Sequence, residues 1–297
     1  MKLAEIMAPD FDLEKTLSSG QVFHWEKIGN SFFGMIGDEP VRIEQRGARL
    51  ITNASANLVS NYFALDHPLS QICRSFPKDE AMKAAKSFCA GLRIIRQPKW
   101  ECLATFICSS MKQVAHIRQI SHALRVRFGE LHKIDNHDLY SFPSAQRIAE
   151  SSEKELRECA LGYRAKNLLA TARLVSANEA DLEAWAALSD VDLRVKLCTL
   201  PGVGAKVANC VMLFAYERLR AFPIDVWIER VLKEKYFPRA RKLNASRLQA
   251  FTQEYFGEHG GYAQQYLFHH ARMKKNSKRF LDSARNDKNA RMTKPRG

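Results

Sequence analysis

"LPGVGAKVANC", residues 200–210, is typical of a tight turn that leads directly into a helix. Gly202 and Gly204 permit backbone conformations that other residues resist, and they let backbone amides come close to a ligand. Amides beside a helix N-terminus bind phosphate well. Together with the helical pattern before it, the stretch predicts a helix, a hairpin and a second helix over about 190–216. An ordinary connection between two packed helices remains the alternative.

Lys206 lies in the first turn of the second helix, where its positive charge opposes the helix macrodipole. One interpretation is a surface lysine tolerated at a small energetic cost. The functional interpretation is that the helix N-terminus and partial burial favour the neutral amine, which is a nucleophile. We therefore treat Lys206 as a candidate catalytic residue.

Asp225, in "AFPIDVWIERVL" at residues 221–232, begins another helix. Aspartate is a preferred N-cap, and capping alone would explain its position. The helix over 205–216 is roughly 18 Å long, whereas residues 217–224 can span about 26 Å, so the chain can return to Lys206. An amine facing a carboxylate suits attack at a sugar carbon of DNA, because the carboxylate stabilises oxocarbenium-like charge.

The charge of the chain favours a polyanionic partner. Lys and Arg number 46 against 32 Asp and Glu, a formal net charge of +14. Residues 273–297 hold nine Lys/Arg and two Asp, or +7, which leaves +7 for the rest. Nucleic acid is the commonest partner of a chain with such an excess of positive charge. The affinity of the chain for nucleic acid would fall steeply with salt. A merely solvated positive surface is the alternative.

The seven cysteines include no CxxC pair, and several lie in apolar helical patterns, as expected of reduced thiols in an intracellular protein. The N-terminal stretch lacks the apolar core of a secretion signal. No apolar run reaches the length of a membrane-spanning helix. We therefore expect an intracellular protein that does not bind membranes.

The pattern of the chain changes near Asn53. Before it, "SFFGMIG", "VRIEQ" and "ARLIT" are short β-prone runs separated by turn signals, and from Asn53 onward the spacing is helical. This predicts an α+β fold, with a small N-terminal antiparallel β-sheet domain (1–92), a two-part all-α helix-hairpin-helix body (93–272) and a basic, disordered tail (273–297). The predicted helices are 79–92, 99–110, 113–128, 145–160, 164–176, 180–187, 190–200, 205–216, 226–236, 245–256 and 261–273.

"LPGVGAKVANC" together with "FPIDV" resembles the helix-hairpin-helix DNA glycosylases that end in a Gly/Pro-rich loop and an essential aspartate. The lysine is similar to that of the lyase-competent branch, in particular the 8-oxoguanine DNA glycosylase family. The resemblance covers roughly residues 11–272. It implies that Lys206 attacks C1′ of a flipped 8-oxoguanine nucleotide in duplex DNA and forms a Schiff base. It also implies that β-elimination follows, with Asp225 assisting.

The same resemblance implies a base pocket. "SSGQVFHW", residues 18–25, resembles the segment in which the carbonyl of Gly20 accepts a hydrogen bond from N7–H of the oxidised base. "YAQQYLF", residues 262–268, resembles the helix in which Gln264 reads the Watson–Crick edge and Phe268 stacks on the base. Cys210 is similar to a cysteine that packs on the other face. Without the resemblance, Gly20 is interpreted as part of a turn and Gln264 as a surface residue. Phe268 and Cys210 are then interpreted as core side chains.

Further DNA contacts follow from the resemblance. Tyr163 would wedge into the base stack, Arg164 would contact the opposite cytosine, and Gly202 and Gly204 would hold the backbone. Three positions depart from the family pattern: Met111 replaces an asparagine, His116 an arginine and Trp227 a histidine. Because histidine lacks the bidentate fork of arginine, we expect relaxed selectivity for the opposite base.

Other functions remain open. An endonuclease III-like enzyme would carry a four-cysteine iron–sulfur motif after the catalytic aspartate, but no cysteine follows Cys210. An alkylbase glycosylase would lack the hairpin lysine. A noncatalytic helix-hairpin-helix protein would use Lys206 only to bind phosphate and Asp225 only as a cap. For the glycosylase we expect a monomer without metal or organic cofactor, although hairpin carbonyls could bind a monovalent cation.

Overall fold

The structure, a computed structural model, describes residues 3–110 and 112–275. An antiparallel sheet of five strands comes first in the sequence and a larger helical body follows, which confirms the predicted fold class. In the described ranges no helix combines the length and apolar character needed to cross a membrane.

The N-terminal sheet has the strand order β1-β5-β4-β3-β2, with every neighbouring pair antiparallel. The three predicted runs are confirmed as β3 to β5, whereas β1 and β2 were not predicted. Both unpredicted strands are short edge strands of three or four residues, too short for a clear alternation of polar and apolar side chains. The strands are β1 Ala4–Met7, β2 Glu26–Ile28, β3 Ser31–Ile36, β4 Glu39–Arg46 and β5 Arg49–Thr52.

The helical body begins on one face of this sheet and continues to the end of the described chain. Its helices are α2 Ala56–Tyr62, α3 Leu69–Ser75, α4 Glu80–Phe88, α5 Lys99–Cys108, α6 Val114–Phe128, α7 Ala145–Ala149, α8 Glu153–Leu156, α9 Arg164–Ser176, α10 Asp190–Cys198, α11 Ala205–Ala215, α12 Val226–Lys235 and α13 Ala245–Tyr255. A short helix, α1 Leu13–Ser18, precedes β2, and a last helix, α14, spans 260–275.

The structure corrects three details of the predicted body. It is not all-α, because Leu131–Ile134 (β6) and His137–Tyr140 (β7) form a two-stranded hairpin. The helix predicted over 145–160 is broken into α7, α8 and a π-helical turn, since the side chains of Ser152 and Glu155 cap a new helix start. The helix predicted over 180–187 is only a 3₁₀ turn at Ala184–Ala187.

The described residues form two large hydrophobic cores and one cluster of four residues between β3 and the β6–β7 hairpin, Phe33, Met35, Ile134 and Leu139. The smaller of the two large cores packs the sheet against α1 and α2. The larger one joins the other body helices, including α3 through Leu69 and Ile72 and α4 through Met82 and Ala85. The boundary predicted near residue 92 stays a prediction. Residues 273–275 of the predicted tail belong to α14, and 276–297 lie outside the described residues.

A buried ion pair joins α5 to α6, and His24 connects this pair to the sheet. Arg125 of α6 donates a hydrogen bond to the carboxylate of Glu101 in α5, and both side chains are buried. His24 lies beside them, with its Nε2 donating to the carbonyl oxygen of Met35 in β3 at 2.8 Å. Burial and the nearby Arg125 hold the pKa of His24 well below its usual value, while burial raises the pKa of Glu101.

We expect Glu101→Gln to lower the free energy of unfolding by about 3–5 kcal/mol, because it leaves the buried Arg125 without its counter-charge. Chemical denaturation of the full chain measures this change. The matched control is Glu153→Gln, which breaks an exposed ion pair with Arg157 and should cost less than about 1 kcal/mol. Equal losses for the two variants would contradict the assignment.

Candidate active site

The predicted hairpin is present between α10 and α11. Gly202 has φ +81°, and an added Cβ would lie 2.9 Å from the Cβ of Asn167, so the turn requires glycine. The hydroxyl of Thr171 donates to the carbonyl oxygen of Pro201 at 2.9 Å and anchors the turn to α9. Gly204 is the N-cap of α11 and is exposed, and no side chain in the described chain caps the first amides of this helix. This end of α11 can receive a phosphate.

Lys206 is held at the end of α5. Its Nζ donates to the Oγ of Ser109 at 3.0 Å and lies 5.2 Å from the centre of the Phe106 ring. The hydroxyl of Ser109 in turn donates to the carbonyl oxygen of Phe106 at 2.7 Å. Its single proton is therefore used, and Ser109 can only accept from Lys206. Sequence reasoning did not find Ser109, since no pattern distinguishes it from Ser110.

Asp225 caps a helix as predicted, and its catalytic role stays a prediction. It is the N-cap of α12, and its Oδ1 accepts a hydrogen bond from the amide of Ile228 at 2.8 Å. It also lines the same cavity as Lys206. Burial raises the pKa of Asp225, whereas the N-cap hydrogen bonds and the positive charge of Lys206 oppose that rise. A carboxylate that is costly to keep charged thus lies in the cavity of the candidate nucleophile.

The cavity has a volume of about 890 Å³, within the range of ligand pockets. The segments that enclose it are distant in the sequence: the turn at Gly20, the end of α5, the hairpin, the start of α12 and α14. In the described part of the chain, five Lys/Arg and two Asp/Glu line it. Nine of the predicted site residues lie on its wall: Gly20, Gly202, Gly204, Lys206, Cys210, Asp225, Trp227, Gln264 and Phe268.

One wall combines a buried side-chain amide with an aromatic ring. Gln264 is only 4% exposed, and its Oε1 is buried without a hydrogen-bond partner among the described residues. Such an atom costs about 1–3 kcal/mol unless a ligand satisfies it. Phe268 follows one helical turn later. Gly20 faces Phe268, since an added Cβ would lie 3.1 Å from its Cε1.

Cys210 lies one turn after Lys206 on α11 and is buried. Burial raises the pKa of its thiol to about 11, although Lys206 acts in the opposite direction. The thiol is therefore protonated at neutral pH and forms an apolar wall rather than an ionic partner of the lysine.

Trp227 closes the outer side of the cavity, in the first turn of α12. Two cations flank its ring: Arg230 at 5.7 Å and Lys275 at 5.0 Å from the ring centre. The two cations make this end of the cavity attractive to an anion such as a phosphate.

Three other predicted DNA contacts, Tyr163, Arg164 and His116, do not line the cavity. Tyr163 is 57% exposed, as a wedge residue would be, but Arg164 is only 5% exposed. The guanidinium of Arg164 donates to the carbonyl oxygens of Ser110 and Leu161, and it packs 4.4 Å from the ring centre of Tyr163. His116 is exposed in the first turn of α6. The DNA contacts of these three residues stay predictions, and Met111 lies outside the described residues.

The fold and the site together define a helix-hairpin-helix protein with a lysine and an aspartate in one basic cavity. Residues 5–103 match the family model described as the N-terminal domain of 8-oxoguanine DNA glycosylase. Residues 104–254 match the model of the HhH-GPD superfamily of base excision DNA repair proteins. The chain belongs to this superfamily.

Individual relatives resemble the chain over most of its length. The N-glycosylase/DNA lyase OGG1 of Arabidopsis thaliana is 31% identical over 87% of this chain and 77% of its own. The 8-oxoguanine glycosylase/lyase of Clostridium acetobutylicum, solved with duplex DNA, superposes with a TM-score of 0.86 at 28% identity, covering 93% of this chain and 99% of that one. A DNA complex of MBOgg1 gives a TM-score of 0.88 at 32% identity, covering 93% and 97%.

We expect iodoacetamide at pH 7.5 to alkylate the exposed Cys198 at least tenfold faster than Cys210, as measured by peptide mass spectrometry. With a pKa of about 11, only about one Cys210 in several thousand is a thiolate at this pH. Its rate should rise with pH up to that value. Comparable rates for the two cysteines at pH 7.5 would mean that Lys206 holds Cys210 as a thiolate.

Proposed function

We propose that the chain is a bifunctional DNA glycosylase and abasic-site lyase that excises 8-oxoguanine from duplex DNA in base excision repair. One observation carries the proposal: Lys206 and Asp225 share a cavity with Gln264 and Phe268, an unsatisfied polar group and an aromatic ring placed as a flipped base requires. The names of the relatives, N-glycosylase/DNA lyase and 8-oxoguanine glycosylase/lyase, support the same activity.

The first step is binding of the DNA backbone. The open amides at the start of α11 receive a phosphate, and the excess of cations around the cavity attracts the duplex. The exposed Tyr163 fills the gap in the stack when a nucleotide swings out. The extruded base then enters a cavity large enough to hold it.

The second step is recognition of the lesion. The carbonyl of Gly20 accepts the N7–H that 8-oxoguanine carries and guanine lacks. Gln264 pairs with the Watson–Crick edge, and its otherwise unsatisfied Oε1 finds a donor there. Phe268 stacks on one face of the base and the neutral thiol of Cys210 packs on the other. Binding of the correct base removes the energetic cost of a buried unpaired atom.

The third step is nucleophilic substitution at C1′. The amine of Lys206, after losing a proton, forms a bond to C1′ while the glycosidic bond breaks and its electron pair leaves with the base, which takes up a proton. Ring opening gives an iminium, and loss of a C2′ proton expels the 3′ phosphate. Asp225 stabilises the positive charge on the sugar and assists proton transfer. Hydrolysis of the imine regenerates the lysine.

The proposal includes relaxed selectivity for the opposite base. The guanidinium of Arg164 is occupied by two backbone carbonyls, and His116 offers one donor where a bidentate arginine would read cytosine. Neither residue is placed to discriminate strongly against adenine. The chain is proposed to act as an intracellular monomer, without metal or organic cofactor. Carbonyls of the hairpin are proposed to bind a monovalent cation.

Trapping with borohydride tests the catalytic role of Lys206. Wild-type protein incubated with 8-oxoguanine duplexes should form a covalent protein–DNA adduct on reduction, and Lys206→Gln should form none, because the amine is lost. A gel resolves the adduct, and all four opposite bases are compared. Duplex binding without an adduct would favour the noncatalytic helix-hairpin-helix alternative, and a strong preference for cytosine would overturn the proposed relaxed selectivity.

Asp225→Asn separates capping from catalysis. Asparagine caps helices as well as aspartate, so the free energy of unfolding should change by less than about 1 kcal/mol. Single-turnover excision should fall about 100-fold, since the charge opposite the sugar is lost. Because burial raises the pKa of Asp225, wild-type excision should decline as pH falls through a value above that of an ordinary aspartate, and this decline should disappear in the variant. Unchanged excision by the variant would leave Asp225 as a cap only.

A further inference from the structure

Arg272 is a charged group on the cavity wall that the mechanism above does not use. It lies on α14, two turns after Gln264 and one turn after Phe268. Its Nη2 donates to the carbonyl oxygen of Ser18, which anchors the guanidinium to the turn that carries Gly20. Its Nε is buried without a hydrogen-bond partner among the described residues.

The charge of Arg272 is not neutralised nearby. In the part of the chain that the structure describes, no carboxylate lies within ion-pair distance of it. Burial and the neighbouring Arg118 lower the pKa of Arg272 to about 10, so the guanidinium is still a cation at neutral pH. A partly buried arginine is normally paired, and an unpaired one in a cavity wall is poised for an acceptor on a ligand.

The position of Arg272 indicates which part of the ligand it faces. Gln264, Phe268 and Arg272 follow at intervals of four residues, so they form one stripe of about 12 Å along α14. An acceptor lies at one end, an aromatic face in the middle and a donor at the other end. Arg272 Nη1 lies beside Gly20, at 2.8 Å from where a Cβ would be.

A purine stacked on Phe268 with its Watson–Crick edge at Gln264 directs its imidazole edge toward Gly20 and Arg272. On that edge, 8-oxoguanine presents N7–H and, next to it, the C8 oxygen. Building on the proposed function, we propose that Arg272 is a specificity-determining residue whose Nη1–H donates to the C8 oxygen of the extruded base. Guanine carries only C8–H at this point, so the guanidinium would remain unsatisfied against it.

The test compares two lesions that share N7–H but differ at C8: 8-oxoguanine, and 8-thioguanine, whose sulfur is a weak acceptor. Single-turnover excision by the wild-type full chain should favour the oxygen lesion, and Arg272→Leu should reduce that preference roughly 10- to 100-fold, the effect of a charged hydrogen bond. Arg272→Lys, which keeps a cation but not the planar fork, should retain part of the preference.

Two controls make the result decisive. Cleavage of a duplex with a preformed abasic site, which has no base to read, reports whether each variant is folded and binds DNA. Arg118→Leu removes an exposed cation near Arg272 that does not line the cavity, and it should leave the oxygen-to-sulfur preference as in the wild type.

Each outcome has one meaning. If Arg272→Leu slows excision of both lesions equally, Arg272 only braces the Gly20 turn, and if it leaves both rates as in the wild type, Arg272 does not contact the base. Either result overturns the inference while the proposed function stands. If the wild-type chain releases neither lesion yet cleaves abasic DNA, the proposed function itself fails.

Discussion

The hydrogen bond from Lys206 to Ser109 joins the first turn of α11 to the end of α5, and the site is assembled around this junction. The hairpin determines where α11 begins, and Phe106 and Ser109 determine where the amine points. From there the chain returns through residues 217–224 to begin α12 at Asp225, whose carboxylate faces the same cavity. Positioning the amine by helix packing rather than by a flexible loop limits its motion, and limited motion favours attack on a single carbon.

The cavity keeps several groups in states that are costly without a ligand. Within residues 3–110 and 112–275, the Oε1 of Gln264 and the Nε of Arg272 are buried without a hydrogen-bond partner. Asp225 has a carboxylate whose pKa is raised by burial. These costs oppose folding, and burial of apolar side chains in the two large hydrophobic cores offsets them. A base that supplies the missing partners regains this free energy on binding, so the same atoms that weaken the empty fold discriminate among bases.

Local signals in the sequence predicted most elements well. The glycine-punctuated strands β3 to β5, the hairpin and the long amphipathic helices appeared as expected, because their patterns depend on neighbouring residues only. The errors arose at elements too short to show a periodic hydrophobic pattern, and where a helix cap interrupts a longer helical pattern. The edge strands β1 and β2, the short helices α1 to α3 and the hairpin β6–β7 were missed. The start of α8 was also missed, although Ser152 and Glu155 have the spacing of a capping box.

The sequence by itself determined the hairpin, the lysine in its unfavourable first-turn position and the aspartate nineteen residues later, since these follow from turn chemistry and helix capping. The resemblance carried by these motifs placed Gly20, Gln264 and Phe268 in one pocket. Only the tertiary structure decided that Ser109 holds the amine and that Arg164 turns inward to backbone carbonyls. It also decided that Arg272 lies beside Gly20 without a carboxylate partner among the described residues. Such contacts join residues 54 to 254 positions apart, and no local pattern encodes a distance that depends on how whole helices pack.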